Sequence, residues 1–317
     1  MRSTGRGDLS ADTVKGTMEN RLIITGASEA FGASLLASLG SLTLNWPSHP
    51  RVLVYDLGMD VETLAILRDN NVEVRKVPPF VPHWRKHFTW KIWCWNDAPA
   101  RDVLWLDAGV VILQPADDVF DAIEKVGYFI TPTYYPLDVT ATEASCVGCG
   151  VKPEFRNGRM TFSGGIVGFR KEGVIGGIVK QALEIASVED YIKSTIPLGR
   201  HDQAILSLLL YKHISCPIMF DTSIYAGWKS PEQVHGQKIW QHRCALRKED
   251  LEYFQQHISK AGPPYLPAIP SAPVEKKPAL KDLYKKFRSL PGKILRGKST
   301  QVQKEPAEQS FYDGVRD

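Results

Sequence analysis

Three residue types in this chain stand where chemistry would need them. Residues 103–113, VLWLDAGVVIL, form an apolar run rich in β-branched and aromatic side chains that breaks at Asp107, passes through Ala108 and Gly109, and becomes apolar again. A lone carboxylate is thereby delivered at the end of a buried strand. In an open α/β sheet, ligands bind outside the carboxyl ends of the strands, and a neighbouring glycine lets a ligand approach the backbone. The competing reading is a turn aspartate before a turn glycine in a tight strand connection. A second acid, Asp202, stands at the start of the helical pattern 201–213, either as an N-cap or as a carboxylate aimed off the helix terminus. A lysine, Lys91, lies in the tryptophan-dense segment 83–95, HWRKHFTWKIWCW. That segment reads as a helix packed on the sheet, an aromatic platform for a base, or a sugar-stacking surface. His242, late in the chain, reads as a structural histidine or a ligand.

Cysteine chemistry is a weaker candidate. Five cysteines, an odd number, in a chain whose first twenty residues lack the apolar core of a signal peptide argue against a disulfide framework and for a cytoplasmic protein with reduced thiols. Cys146 and Cys149 have C-x-x-C spacing, but the chain holds no second such pair to complete a zinc site. They read as ordinary loop cysteines.

The elements that must position these residues follow from periodicity. Residues 1–20 are polar and aperiodic and read as a disordered lead. A strand at 21–25, a helical pattern at 30–44, a strand at 51–55, a helix capped by Asp60 and a strand at 72–77 alternate in the manner of a parallel sheet built from right-handed crossovers. Beyond the central strand come a helix at 116–125, a strand at 128–130 and a long aperiodic stretch at 131–159, which reads as a lid or binding loop. A strand at 160–170 is broken by Gly164 and Gly165, where a bulge is expected over a ligand's close approach. Helices at 175–186 and 201–213 and strands at 216–223 and 239–243 complete the pattern.

Composition bounds the rest. With 317 residues, 43% hydrophobic and 23% charged, the chain has the make-up of a globular protein, and no apolar run approaches the roughly 20 residues of a membrane span. The net charge of +4 hides an asymmetry: nine basic residues against two acidic ones lie between Glu275 and Lys298. The remainder is slightly acidic, which excludes nucleic acid as its main partner. Residues 262–278 form a proline-rich linker. In 279–317, the amphipathic stretch 279–290 sets Leu280, Leu283 and Phe287 against Lys281, Lys285 and Arg288. It reads as a solvated or docked terminal helix, or as a contact for an anionic membrane surface or acidic partner.

The first strand and loop, IITGASEAFG, also approach a dehydrogenase fingerprint, with Asp56 where a ribose-binding acid would sit. Ala30 stands at the middle glycine of that fingerprint. A Y-x-x-x-K pair, Tyr225 and Lys229, has Gly227 inside it. A short-chain-dehydrogenase-like NAD(P) oxidoreductase is therefore the alternative.

Taken in order, Thr89-Trp90-Lys91, the strand ending in Asp107-Ala108-Gly109, Ser163 to Phe169, Asp202-Gln203 and His242 resemble the nucleotide-sugar glycosyltransferases of the GT-A fold, in particular glycosyltransferase family 8. The resemblance spans about residues 21–243, within a domain read as 21–261. It implies an α/β fold with a mixed, mainly parallel central sheet flanked by helices, and an enzyme that transfers a sugar from a nucleotide-sugar donor, UDP-linked by expectation, to a glycan or other hydroxyl acceptor. Thr25, Gly26, Ala27, Ser28 and Asp56 would line the nucleotide pocket, Lys91 would reach phosphate or sugar, Gly164 and Gly165 would admit the sugar, and Asp202 with Gln203 would meet it. Asp107 would hold ribose, or a divalent Mn or Mg ion together with His242. The family's D-x-D places a second carboxylate where this chain has Gly109, so weak metal affinity, metal-independent catalysis and a binding protein without turnover are all implied outcomes.

Overall fold

The computed structural model describes residues 20–226 and 236–241. At its centre is a six-stranded sheet built from β1 (Arg21–Ala27), β2 (Val52–Asp56), β3 (Glu73–Lys76), β4 (Asp102–Leu106), β6 (Tyr128–Pro136) and β7 (Met160–Arg170), in the order β3-β2-β1-β4-β7-β6. The first four strands are mutually parallel, and β7 runs antiparallel to both of its neighbours. Short strands β5 (Val110–Ile112) and β8 (Ile239–Gln241) form a separate antiparallel ribbon.

Alternation along the strands feeds both faces. Leu22, Ile24, Tyr55, Val103 and Trp105 pack with residues of α3 (Thr89–Asp97), α6 (Val174–Ala186) and α8 (His201–His213) on one side. Ile23, Leu104 and Leu106 pack on the other, against Leu42 of α1 (Gly32–Asn45) and Phe120 and Ile123 of α4 (Asp117–Val126). A sheet covered on both faces needs strands apolar at every position, hence the continuous run of β4. Each fully buried large side chain contributes about 1.5–3 kcal/mol.

Local rules explain several boundaries. Asp60 caps α2 (Val61–Asp69), accepting from the Thr63 amide at 2.8 Å. Gly127, at φ 92°, closes α4 in the left-handed region that glycine tolerates. The expected bulge at the paired glycines is present. Between the Ile130/Val167 and Pro132/Phe162 pairs, a single residue of β6 faces four of β7, Ser163 to Ile166.

Three expectations are corrected. The stretch 131–159 is largely ordered: β6 continues to Pro136, and α5 (Glu143–Gly148) and 3-10 turns at Leu137–Val139 and Pro153–Arg156 follow. These elements are too short to show a period, though Thr142 caps α5 through the Ser145 amide. Residues 216–223 are not a strand; the Phe220 amide bonds the Ile130 carbonyl at 3.0 Å, and Thr222–Tyr225 form α9, after the short α7 at Glu189–Ile192. Helix α3 begins at Thr89, because His87 and Phe88, both at φ 58°, turn the chain before it. The linker and basic tail lie outside the described residues.

Candidate active site

Asp107 follows the last residue of β4. Its amide extends the ladder to β7, donating to the Gly165 carbonyl at 2.9 Å, and its carbonyl accepts from the Val110 amide at 3.0 Å, which closes the tight turn into β5. The backbone thus builds the turn, and the side chain is left for other partners. Oδ1 of Asp107 accepts from the indole Nε1 of Trp105 at 2.7 Å and pairs with Nζ of Lys91 at 2.8 Å. Trp105 reaches it because residues two apart on a strand share a face.

Lys91 comes from the opposite wall, on α3. It is only 3% exposed and lies 3.6 Å from Oδ2 of Asp202 and 3.4 Å from the Gly164 carbonyl. The rings of Phe88, Trp105 and Trp90 stand 5.1, 5.5 and 5.9 Å from its nitrogen, a cation–π surround that suits a desolvated ammonium. Burial by itself would lower its pKa, yet Asp107 and Asp202 outweigh burial and raise it. The left-handed conformations of His87 and Phe88 aim this wall, at a cost of about 1–3 kcal/mol each.

Asp202 lies in the first turn of α8, whose N-cap is Arg200, so the N-cap expectation is not met. Its carboxylate is buried, and Oδ2 makes no hydrogen bond. Burial raises its pKa, with Lys91 opposing and Asp107 adding to the rise. Asp202, Lys91 and Asp107 thus form one chain of charges, two carboxylates on a single ammonium, buried at Asp202 and Lys91 and part-exposed at Asp107.

Gly164 and Gly165 make that chain possible. A Cβ on Gly164 would come within 2.6 Å of Oδ2 of Asp202 and 2.8 Å of Cγ of Gln203. A Cβ on Gly165 would overlap the side-chain amide of Gln241 and approach Oδ2 of Asp107 to 3.1 Å. The space above these glycines is filled by the site's own side chains. Gln241 ends β8 and reaches the site through its pairing with Val110; sequence reasoning passed over it, and only its position beside His242 hinted at a role.

The nucleotide-pocket candidates lie along the same edge of the sheet. Thr25, Gly26 and Ala27 end β1, beside Tyr55 and Asp56 of β2. The Thr25 hydroxyl is buried without a hydrogen-bond partner. A Cβ on Gly26 would lie 3.2 Å from the Tyr55 carbonyl and 3.5 Å from the Trp90 ring. Asp56 accepts from the amides of Gly58 and Met59, both at 2.7 Å, and so shapes the turn leaving β2. Ser28 precedes a 3-10 turn without capping it through its side chain.

Among the described residues a divalent ion finds a poor fit: Oδ1 of Asp107 is engaged twice, its Oδ2 faces the Gln241 amide across Gly165, and Gly109 carries no ligand atom. His242, the other expected ligand, lies outside the described residues. Among the described residues no group of three His, Cys, Asp or Glu side chains is placed to hold a metal. That includes Cys146 and Cys149, both buried, with burial pushing the Cys149 thiol up to about 12. The dehydrogenase alternative loses ground too. A dinucleotide-binding sheet continues in parallel past its first four strands, whereas β7 here is antiparallel. The Tyr225 hydroxyl donates to Asp118, and Lys229 lies outside the described residues.

No protein-family model matches the chain, and no curated protein matches it by sequence. Solved structures do match in shape. The bifunctional glycosyltransferase WbbM is similar with a TM-score of 0.50 and 10% identity over 76% of this chain and 50% of its own. The galactosyltransferase LgtC, solved with donor and acceptor sugar analogues, gives 0.46 and 15% over 75% and 95%, and GlyE of Streptococcus pneumoniae TIGR4 gives 0.47 and 11% over 76% and 60%. What this chain shares with WbbM is the GT-A fold, a mixed α/β architecture with a mostly parallel central sheet flanked by helices, and it spans about half of that protein's length.

Proposed function

We propose that this chain is a glycosyltransferase that moves a sugar from a nucleotide-linked donor, UDP being the first to test, to a hydroxyl acceptor. The observation that carries the reading is the Asp107–Lys91–Asp202 cluster, set at the carboxyl end of the central strand of a GT-A sheet. Displacing a nucleoside diphosphate leaves positive charge at the anomeric carbon. Two carboxylates sharing one ammonium carry a net negative charge that stabilises it. Lys91 keeps both acids in register, and Gln203 and Gln241 supply amides for sugar hydroxyls. The ends of β1 and β2, from Thr25 to Ser28 and at Asp56, form the floor on which the nucleotide would lie.

A panel of nucleotides and nucleotide sugars is expected to raise the thermal midpoint, with the largest shift for one sugar nucleotide. No shift with any of them, alongside a clear shift with NAD(P), overturns the proposal in favour of the oxidoreductase. Gly109 in place of a second acid favours one other reading, a GT-A-like binder without turnover. Donor hydrolysis that Asp107→Ala abolishes would exclude it.

A further inference from the structure

The carboxylate at the end of β4 already has a cation. Lys91 Nζ lies 2.8 Å from Oδ1 of Asp107 and 3.6 Å from Oδ2 of Asp202. It is buried by three aromatic rings and held by the Gly164 carbonyl. The second donor on Oδ1, the Trp105 indole, leaves that oxygen without a free direction for a metal. On the Oδ2 side, the Gln241 amide fills the space over Gly165. A dication placed there would have to share Asp107 with the ammonium already paired to it, and Gly109 adds no second carboxylate to hold it.

We infer that Lys91 takes at Asp107 the place that a divalent ion would take in a D-x-D arrangement, so that nucleotide binding by this chain does not depend on divalent metal. The inference rests on the glycosyltransferase reading, and its test separates the two. Calorimetry on the full chain with UDP, once in excess EDTA and once in excess Mn, is expected to give dissociation constants within about twofold of each other. A constant about tenfold or more tighter with Mn overturns the inference and leaves the glycosyltransferase reading standing. Absence of UDP binding in both conditions, and of other nucleoside diphosphates as well, overturns both.

A second measurement uses no nucleotide. Free Mn followed by electron paramagnetic resonance is expected to be undisturbed by the wild-type chain. The Lys91→Gln variant, with its folded state checked by circular dichroism, should deplete the free Mn signal because Asp107 and Asp202 are then without their cation. Gly109→Asp should do so with Lys91 in place. Depletion by the wild-type chain as strong as by either variant overturns the inference.

Discussion

Nζ of Lys91 and Oδ1 of Asp107 meet at 2.8 Å on a carboxylate that is 38% exposed, although the lysine itself is almost wholly buried. One end of the pair faces the site and the other faces the core. The asymmetry decides what each partner does: Asp107 can meet a ligand, and Lys91 sets the charge and direction of the acids around it. Removing the lysine leaves Asp202 buried and unpaired, the expensive way to break an ion pair. Lys91→Met is expected to lower stability by about 3–5 kcal/mol and to abolish transfer, whereas Asp107→Asn should cost far less stability and still abolish transfer. Urea titration alongside donor turnover distinguishes the two.

The paired glycines give a prediction that a merely flexible strand would not. Gly165→Ala drives a methyl into the Gln241 amide and toward Asp107, a crowding cost of about 1–3 kcal/mol. Gln241→Ala should relieve most of it in the double variant, giving a coupling energy between the two sites. Gly164→Ala meets Asp202, a buried acid of the site itself, and Gln203, so truncating either neighbour should not restore its activity. A double-mutant cycle on the thermal midpoint and on turnover reads both.

Much of this was legible in the sequence, and the exceptions have physical causes. Asp107 at a strand end, Lys91 on a packed helix and the bulge at Gly164 and Gly165 follow from periodicity and glycine placement, because local rules govern them. Their convergence does not, since Lys91 and Asp202 reach Asp107 only through the packing of α3 and α8 on one face of the sheet. The strand that carries Gln241 was legible, but its pairing with Val110, which brings the side chain to the site, is a long-range contact without a local signal. The 131–159 stretch was misread because one-turn helices fall below the length at which a hydrophobic stripe can be recognised.

A control separates structural acids from site acids. Asp102, at the other end of β4, is buried; Arg170 donates to it at 2.7 and 3.1 Å and Arg101 at 2.8 Å. Burial raises its pKa, but the two guanidinium groups outweigh burial and hold it below the usual range. A carboxylate depressed in the fold stabilises it above the unfolded pKa, and that contribution is lost as pH falls through the folded value. Asp102→Ala is expected to cost about 3–5 kcal/mol while leaving nucleotide affinity unchanged. Asp107→Ala should do the reverse, as paired denaturation and calorimetry would register.

Thiol chemistry offers a test of packing. Cys216 is exposed, whereas Cys94, Cys146 and Cys149 are buried. Burial raises the pKa of each of the three buried thiols, which removes the reactive thiolate. An alkylating reagent at neutral pH, followed by peptide mass mapping, should modify Cys216 before any of the buried three. Early modification of Cys146 or Cys149 would show that α5 opens in solution.

Acid sensitivity should begin above the carboxylate range, because of histidine. His201, next to Asp202 at the start of α8, is lowered to about 4, chiefly by burial. Its Nδ1 lies 3.1 Å from the Ile192 carbonyl and 3.2 Å from the Ser194 amide. Its ring stands 5.1 Å from that of His87, whose pKa burial also lowers. A histidine depressed in the fold is neutral there and protonated in the unfolded chain between the two values. The unfolded state therefore binds more protons in that window, and stability falls as pH drops from about 6.5 to about 4, by up to about 3 kcal/mol for His201. His201→Gln should flatten this slope and leave the loss below about pH 4 that Asp102 contributes. Urea denaturation across that pH range is the measurement, and an unchanged slope in the variant would place the acid sensitivity elsewhere.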